Sequence, residues 1–224
     1  MLGPFFKLWS RMTPLRLRCL HAINGFRVSR NQWTLATTQV LREQMGWSWD
    51  EIRQRAPDYF KRLEFSVKHA RGRVLEIGCG VGTMTRWLNA SDKVSDIVAI
   101  DAFEQALVEL RNARLHKVRA LRMPADELRL PQGEQFDTVM LCEIIEHLYD
   151  DEELELLARI RPHLSANARY VVSTPIGWLE DPTHVRAFGK RAFRRRLEHY
   201  YGPVQEIDYS SGYSQAAWGW WNLM

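Results

Sequence analysis

Val74-Leu75-Glu76-Ile77-Gly78-Cys79-Gly80-Val81-Gly82 is the stretch whose reading decides the fold. An apolar run leads into three glycines spaced by single residues. Thr83-Met84-Thr85-Arg86-Trp87-Leu88 then reads as the first turns of a helix. A strand, a tight turn and a helix in that order are what lies beneath a bound nucleotide. Glycine lets the turn take angles closed to other residues and lets a ligand press on the main chain. Glu76 stands two residues before the first glycine, near the strand's carboxyl end. A carboxylate there would repel a diphosphate across a desolvated gap, and it suits a cationic group. Thr83 sits where a dinucleotide fingerprint places its last glycine, which with Glu76 counts against an NAD-linked reductase.

About nineteen residues past Gly82, a second apolar run, Ile97-Val98-Ala99-Ile100, ends in Asp101. An acid at the tip of the second strand is where a doubly wound sheet holds two ribose hydroxyls. Together these residues resemble the signature of the class I S-adenosylmethionine-dependent methyltransferases. The resemblance implies S-adenosylmethionine as cofactor and S-adenosylhomocysteine as product. It also implies a Rossmann-like α/β fold, with a seven-stranded sheet covered by helices on both faces.

Farther on, Pro124-Ala125-Asp126-Glu127-Leu128 and Phe136-Asp137-Thr138-Val139 resemble the family's acid after strand three and its entry into strand four. By resemblance, Asp126 accepts a hydrogen bond from the adenine amine; taken alone it reads equally as a turn or cap aspartate. Phe103 could stack on adenine or belong to the core. The cofactor contacts the resemblance implies are Glu76, Gly78, Cys79, Gly80 and Gly82 on the first turn. After the second strand they are Asp101, Ala102 and Phe103, and beyond it Ala125, Asp126, Glu127 and Cys142.

Strand four runs into Cys142-Glu143-Ile144-Ile145-Glu146-His147. If this segment turns helically, Glu143, Glu146 and His147 share one face. The run resembles that of the ubiquinone-pathway O-methyltransferases. It also resembles metal-dependent methyltransferases that cap the 3′ end of small RNAs, where a second histidine completes a metal site. His184, in Asp181-Pro182-Thr183-His184, is the candidate second histidine. Two carboxylates and two imidazoles could hold Mg²⁺ or Mn²⁺. Alternatively the histidines bond locally and the glutamates steady the loop, and this metal-free reading is the one adopted. A hydroxyl acceptor must lose its proton, so His147 is expected to be the base, with His184 second and Glu143 orienting either.

Elsewhere the chain is ordinary for a globular protein, with 46% hydrophobic and 26% charged residues in 224. Three scattered cysteines, Cys19, Cys79 and Cys142, fit buried thiols in a reducing compartment, hence a cytoplasmic protein. The net charge of +4 is unevenly spread. Residues 1–42 hold seven Lys/Arg and no acid, leaving 24 basic against 27 acidic residues in the remainder. That split counts against nucleic acid as a partner of the catalytic body. Three parts are expected: a basic amphipathic arm over 1–30, a helical cap over 31–70, and the cofactor-binding domain over 71–224. The arm suits a surface helix, an interfacial membrane anchor or a transit peptide.

Alternation places strands at 73–77, 97–100, 118–122, 136–141, 169–173 and near 204–209, with helices between them. The tryptophan-rich tail, Gly212 to Met224, is expected to close the sheet. The resulting expectation is a methyltransferase acting on a small-molecule, lipid-linked or glycan hydroxyl. The alternatives are the metal-dependent RNA enzyme and a non-catalytic cofactor-binding interaction protein. Cofactor turnover separates the last from the first two.

Overall fold

In a computed structural model, residues 48–177 and 184–209 are described. The basic arm, the first part of the cap, residues 178–183 and the tail from residue 210 lie outside the described residues, as do the side chains of Trp49 and Asp126.

The described chain enters through α1 (Trp49–Arg55) and α2 (Pro57–His69). Ser48 caps α1, its Oγ accepting the Glu51 N–H while the Glu51 carboxylate accepts the Ser48 N–H at 2.8 Å. Pro57 starts a new helix because its ring would clash in a continuing one, and the first helical position tolerates its missing donor. Strands and helices then alternate: β1 (Gly72–Ile77), α3 (Thr83–Ala90), β2 (Val94–Asp101), α4 (Glu104–Asn112), β3 (Val118–Arg122), β4 (Phe136–Cys142), α5 (Asp150–Ile160), β5 (Leu164–Ser173) and α6 (Lys190–Tyr200). Single 3₁₀ turns lie at 125–127, 145–147 and 161–163.

All five strands are parallel, in the order β3-β2-β1-β4-β5. The order reverses between β1 and β4, where such a sheet opens a crevice at its carboxyl edge. Side-chain alternation divides the core in two. Val74, Ile97, Ala99 and Met140 face α1 to α4, while Leu75, Val98, Val139 and Leu141 face α5 and α6. Both faces are covered, which explains why the central strands read as unbroken apolar runs.

Thr138 is the one polar residue fully buried in β4. Its hydroxyl accepts the Arg71 N–H at 3.0 Å and donates to the Arg71 carbonyl at 2.8 Å, tying the approach to β1. Thr138→Val keeps the shape but leaves both main-chain groups unpaired. It should cost about 1–3 kcal/mol in denaturant unfolding, with the m-value unchanged.

Two expectations need correction. Five strands form the sheet among the described residues, where seven were expected. Residues 204–209 make no ladder. Val204, Ile207 and Tyr209 pack on the α5–α6 side of the core, and Glu206 pairs with Lys68 and His69 of α2. This segment is held by its side chains, so apolar spacing that resembled a strand serves packing instead. No described helix is long and apolar enough to cross a membrane.

Candidate active site

The turn after β1 is hung from the end of β2. Gly78 and Cys79 donate their N–H groups to the Ile100 carbonyl at 2.9 and 3.0 Å, and Gly80 donates to Asp101 Oδ2 at 2.8 Å. Asp101 Oδ1 accepts the Phe103 N–H at 2.9 Å. Asp101 thus ties both turns together, and each oxygen keeps a lone pair for a ribose hydroxyl. At Gly78, with φ +72°, a side chain would strain the backbone and force Ile144 to move, because a Cβ there would lie 2.0 Å from Ile144 Cδ1. The glycine turn therefore abuts the segment after β4. At Gly80 a Cβ would meet nothing within 4 Å, so the main chain there faces open space in which a ligand could approach it.

Glu76 points to the α2–α3 side of the sheet and is 4% exposed. Thr85 of α3 donates to its Oε2 at 2.7 Å. Burial, reinforced by the charge of Asp101 and opposed by the Thr85 hydrogen bond, pushes its carboxyl up to about 8. Among the described residues this desolvated acid has no cationic partner, and the turn fits an ammonium-bearing nucleoside on that ground. Burial also raises Asp101, against the N–H groups that favour its charge. Cys79 is buried beside this pair with its thiol pushed well up. Cys142, its thiol pushed up to about 11, turns towards Ser66 of α2, 3.7 Å away.

Of the remaining sequence candidates, Ala102, Phe103 and Ala125 are half-buried beside the carboxyl ends of β2 and β3, and Glu127 is exposed on the 125–127 turn.

The segment after β4 departs from the helical expectation. Glu143 has φ +59°, a left-handed conformation rare for a residue with a side chain. Three contacts hold it: its N–H donates to the Ser173 carbonyl at 3.0 Å, Ser173 Oγ donates to its Oε1 at 2.8 Å, and Arg62 of α2 approaches the same oxygen at 3.2 Å. Only then does the 145–147 turn begin. Glu143 therefore faces α2, while Glu146 and His147 are carried elsewhere.

What the fold brings together is Glu146, His147 and His184. Their ligand atoms lie within 4.8 Å of one another. The two imidazoles meet edge to face, with centroids 4.8 Å apart and planes at 66°. Glu146 is 2% exposed, accepts from Thr174 Oγ1 at 3.1 Å, and has no hydrogen-bond partner for Oε1 among the described residues. Burial, and then the charge of Glu143, raises it well above the ordinary carboxylate range. The four residues weighed as an alternative metal set are thereby reduced to three, without Glu143. Arg62, Ser173 and Thr174 were not expected at the site. They sit about 30 or 80 residues from their partners, on elements with no local motif, and no sequence spacing marks them.

A family model described as "Methyltransferase domain" matches residues 75–170. Residues 75–170 are thus similar to a methyltransferase domain. The chain is 34% identical over 84 residues to the ubiquinone biosynthesis O-methyltransferase of Bordetella avium (strain 197N), a match covering 35% of this chain and 33% of that relative. It is 33% identical over 66 residues to the tRNA (guanine-N(7)-)-methyltransferase of Mycolicibacterium gilvum (strain PYR-GCK), covering 30% and 25%. The chain thus spans a third or less of the curated relatives it matches. Among solved structures, the plantazolicin methyltransferase BpumL in complex with SAH superposes with a TM-score of 0.55 at 15% identity, covering 87% of this chain and 80% of that one. The chain therefore shares the fold of the plantazolicin methyltransferase, while the names of its sequence relatives span O-methylation and tRNA methylation.

Proposed function

We propose that this protein transfers the methyl group of S-adenosylmethionine to a hydroxyl of a small-molecule, lipid-linked or glycan acceptor, and releases S-adenosylhomocysteine. The observation that carries the reading is the imidazole pair, His147 and His184, at the carboxyl edge of β4 and β5, next to a glycine turn whose buried acid has no cationic partner among the described residues. The bound cofactor supplies an electrophilic methyl on a sulfonium. Glu76 answers its positive charge, Asp101 accepts its ribose hydroxyls, and the main chain at Gly78 and Gly80 lies against it. Phe103, Ala125, Asp126 and Glu127 complete the adenine side. A hydroxyl is a poor nucleophile until deprotonated, which is what a neutral imidazole provides near neutral pH. His147 Nδ1 or Nε2 takes that proton, His184 backs the ring, and Glu143, fixed by Arg62 and Ser173, borders the acceptor space.

Calorimetric titration with S-adenosylmethionine and S-adenosylhomocysteine, with NADH as control, tests the cofactor. Micromolar binding of both sulfur compounds supports the reading, and binding of NADH alone ends it. A screen for S-adenosylhomocysteine formation with catechols, prenylated phenols, glycans and a short RNA duplex then sorts the acceptors.

One observation favours a second reading. Glu146 Oε1, buried and without a hydrogen-bond partner among the described residues, stands with two imidazoles in a cluster that fits a divalent cation. Under this reading Glu146, His147 and His184 would hold the ion, which would supply a Lewis acid for the acceptor oxygen. On the first reading, EDTA leaves turnover within about twofold. A loss of about 10²-fold or more, restored by Mn²⁺ or Mg²⁺, would move the assignment to the second.

A further inference from the structure

The segment carrying His184 is tied to the turn that bears His147 by a main-chain hydrogen bond and by the Arg186 side chain. Val185 N–H donates to the Glu146 carbonyl at 2.9 Å, and the Arg186 guanidinium donates to the neighbouring Ile145 carbonyl from Nε at 2.7 Å and from Nη2 at 2.5 Å. Arg186 is in turn held from behind. Its Nη1 donates to Asp150 Oδ1 at 2.6 Å, and its Nη2 also donates to Glu153 Oε2 on α5. The Glu153 side chain is 1% exposed and also accepts from Arg196 of α6 and, on its other oxygen, from the Tyr201 hydroxyl. Two guanidiniums thus share two carboxylates, but only Arg186 extends its fork to the turn that bears His147.

We propose that Arg186, braced by Glu153, is a positioning residue that sets the His147–His184 pair. The catalytic use of that pair rests on the methyltransferase reading above; its geometry does not. Arg suits the role because its planar fork donates in several fixed directions at once, which an ammonium cannot do. His184 is two residues before Arg186 and His147 two residues after Ile145, so an error of one ångström in the brace passes directly to the inter-ring distance. The neighbouring Arg196 provides an internal control. It bonds the same Asp150 and Glu153 but makes no bond to the 145–147 turn, so a purely stabilising role predicts the same outcome for both arginines.

The test compares Arg186→Met with Arg196→Met in the full chain carrying ¹³C-labelled histidine. In wild type, ring protons of His147 and His184 should show a mutual nuclear Overhauser effect, assigned with the single alanine variants. Both methionine variants should unfold at lower temperature. Only Arg186→Met should lose the inter-ring effect and shift both histidine Cε1–H resonances, while S-adenosylmethionine affinity stays within about twofold, as the cofactor turn is untouched. Should Arg186→Met fail to fold, Arg186→Lys keeps the charge but not the fork, and it should lose the effect as well. Retention of the inter-ring effect in the Arg186 variant, or its equal loss in Arg196→Met, overturns the proposal. Failure of wild type to bind S-adenosylmethionine would remove the methyltransferase reading and leave this ring-geometry result standing.

Discussion

Replacing Glu76 with glutamine is expected to weaken S-adenosylmethionine binding by about 30-fold to 3,000-fold. Truncating one partner of a buried charge pair costs about 2–5 kcal/mol, and about 1.4 kcal/mol is a factor of ten. The same substitution should stabilise the cofactor-free protein at alkaline pH, and the sign follows from the raised carboxyl. In the folded protein Glu76 holds its proton up to about pH 8, whereas the unfolded chain releases it near its ordinary 4.5. Below that ordinary value both states are protonated and the group contributes nothing. As pH rises from 4.5 towards 8 the unfolded state ionises alone, and wild-type stability declines. Above about 8 the loss is complete and levels off. Glutamine cannot ionise, so the variant should match wild type near pH 4 and exceed it at pH 8.5 in urea titrations. Cofactor binding to wild type should show the complement: a proton is released when the cation pairs with Glu76, so affinity rises close to tenfold per pH unit below about 8 and is flat above it. A pH-independent affinity, or a variant that binds as well as wild type, would show that Glu76 does not meet the cofactor's charge.

His147→Ala should lower turnover by about 10²–10⁴-fold, the usual contribution of a positioned general base, while the dissociation constant for S-adenosylmethionine stays within about twofold. The separation is expected because His147 lies beyond β4, on the 145–147 turn, while the proposed cofactor contacts gather on the turns after β1, β2 and β3. S-adenosylhomocysteine release, followed with an acceptor from the screen, measures the first quantity and calorimetry the second. His184→Ala should cost less, because the backing ring can be replaced by water. An unchanged rate after His147→Ala would remove the base assignment and leave acceptor positioning as the role of the pair.

The expectations that succeeded rest on contiguous stretches. Residues 72–77, 83–90, 118–122 and 136–142 form elements within a residue or so of where their patterns place them, because a central parallel strand is buried on both faces and shows as an apolar run. Asp101 and the turn from Gly78 to Gly82 were legible for a related reason: the ends of β1 and β2 are adjacent in the sheet, so short motifs separated by one helix must meet. The strand expected at 204–209 failed because apolar spacing there is satisfied by packing against α5 and α6 without a ladder. The Glu143–Glu146–His147 face failed because one residue, Glu143, adopts φ +59° and resets the phase of all that follows. No side-chain pattern announces a left-handed residue that is not glycine.

By itself, then, the order of residues determined the alternating parallel architecture and the placing of Glu76 and Asp101 at the carboxyl edge of the sheet. Those depend on periodicity and on neighbours in the chain. Tertiary structure alone decided which groups support the candidate site: Arg62 against Glu143, Thr174 against Glu146, and Arg186 reaching Ile145 under the hold of Glu153. These pairs are separated by some 30 to 80 residues, and they meet only because the strand order reverses between β1 and β4. Helices and straps from both ends of the described chain must then close over the same edge.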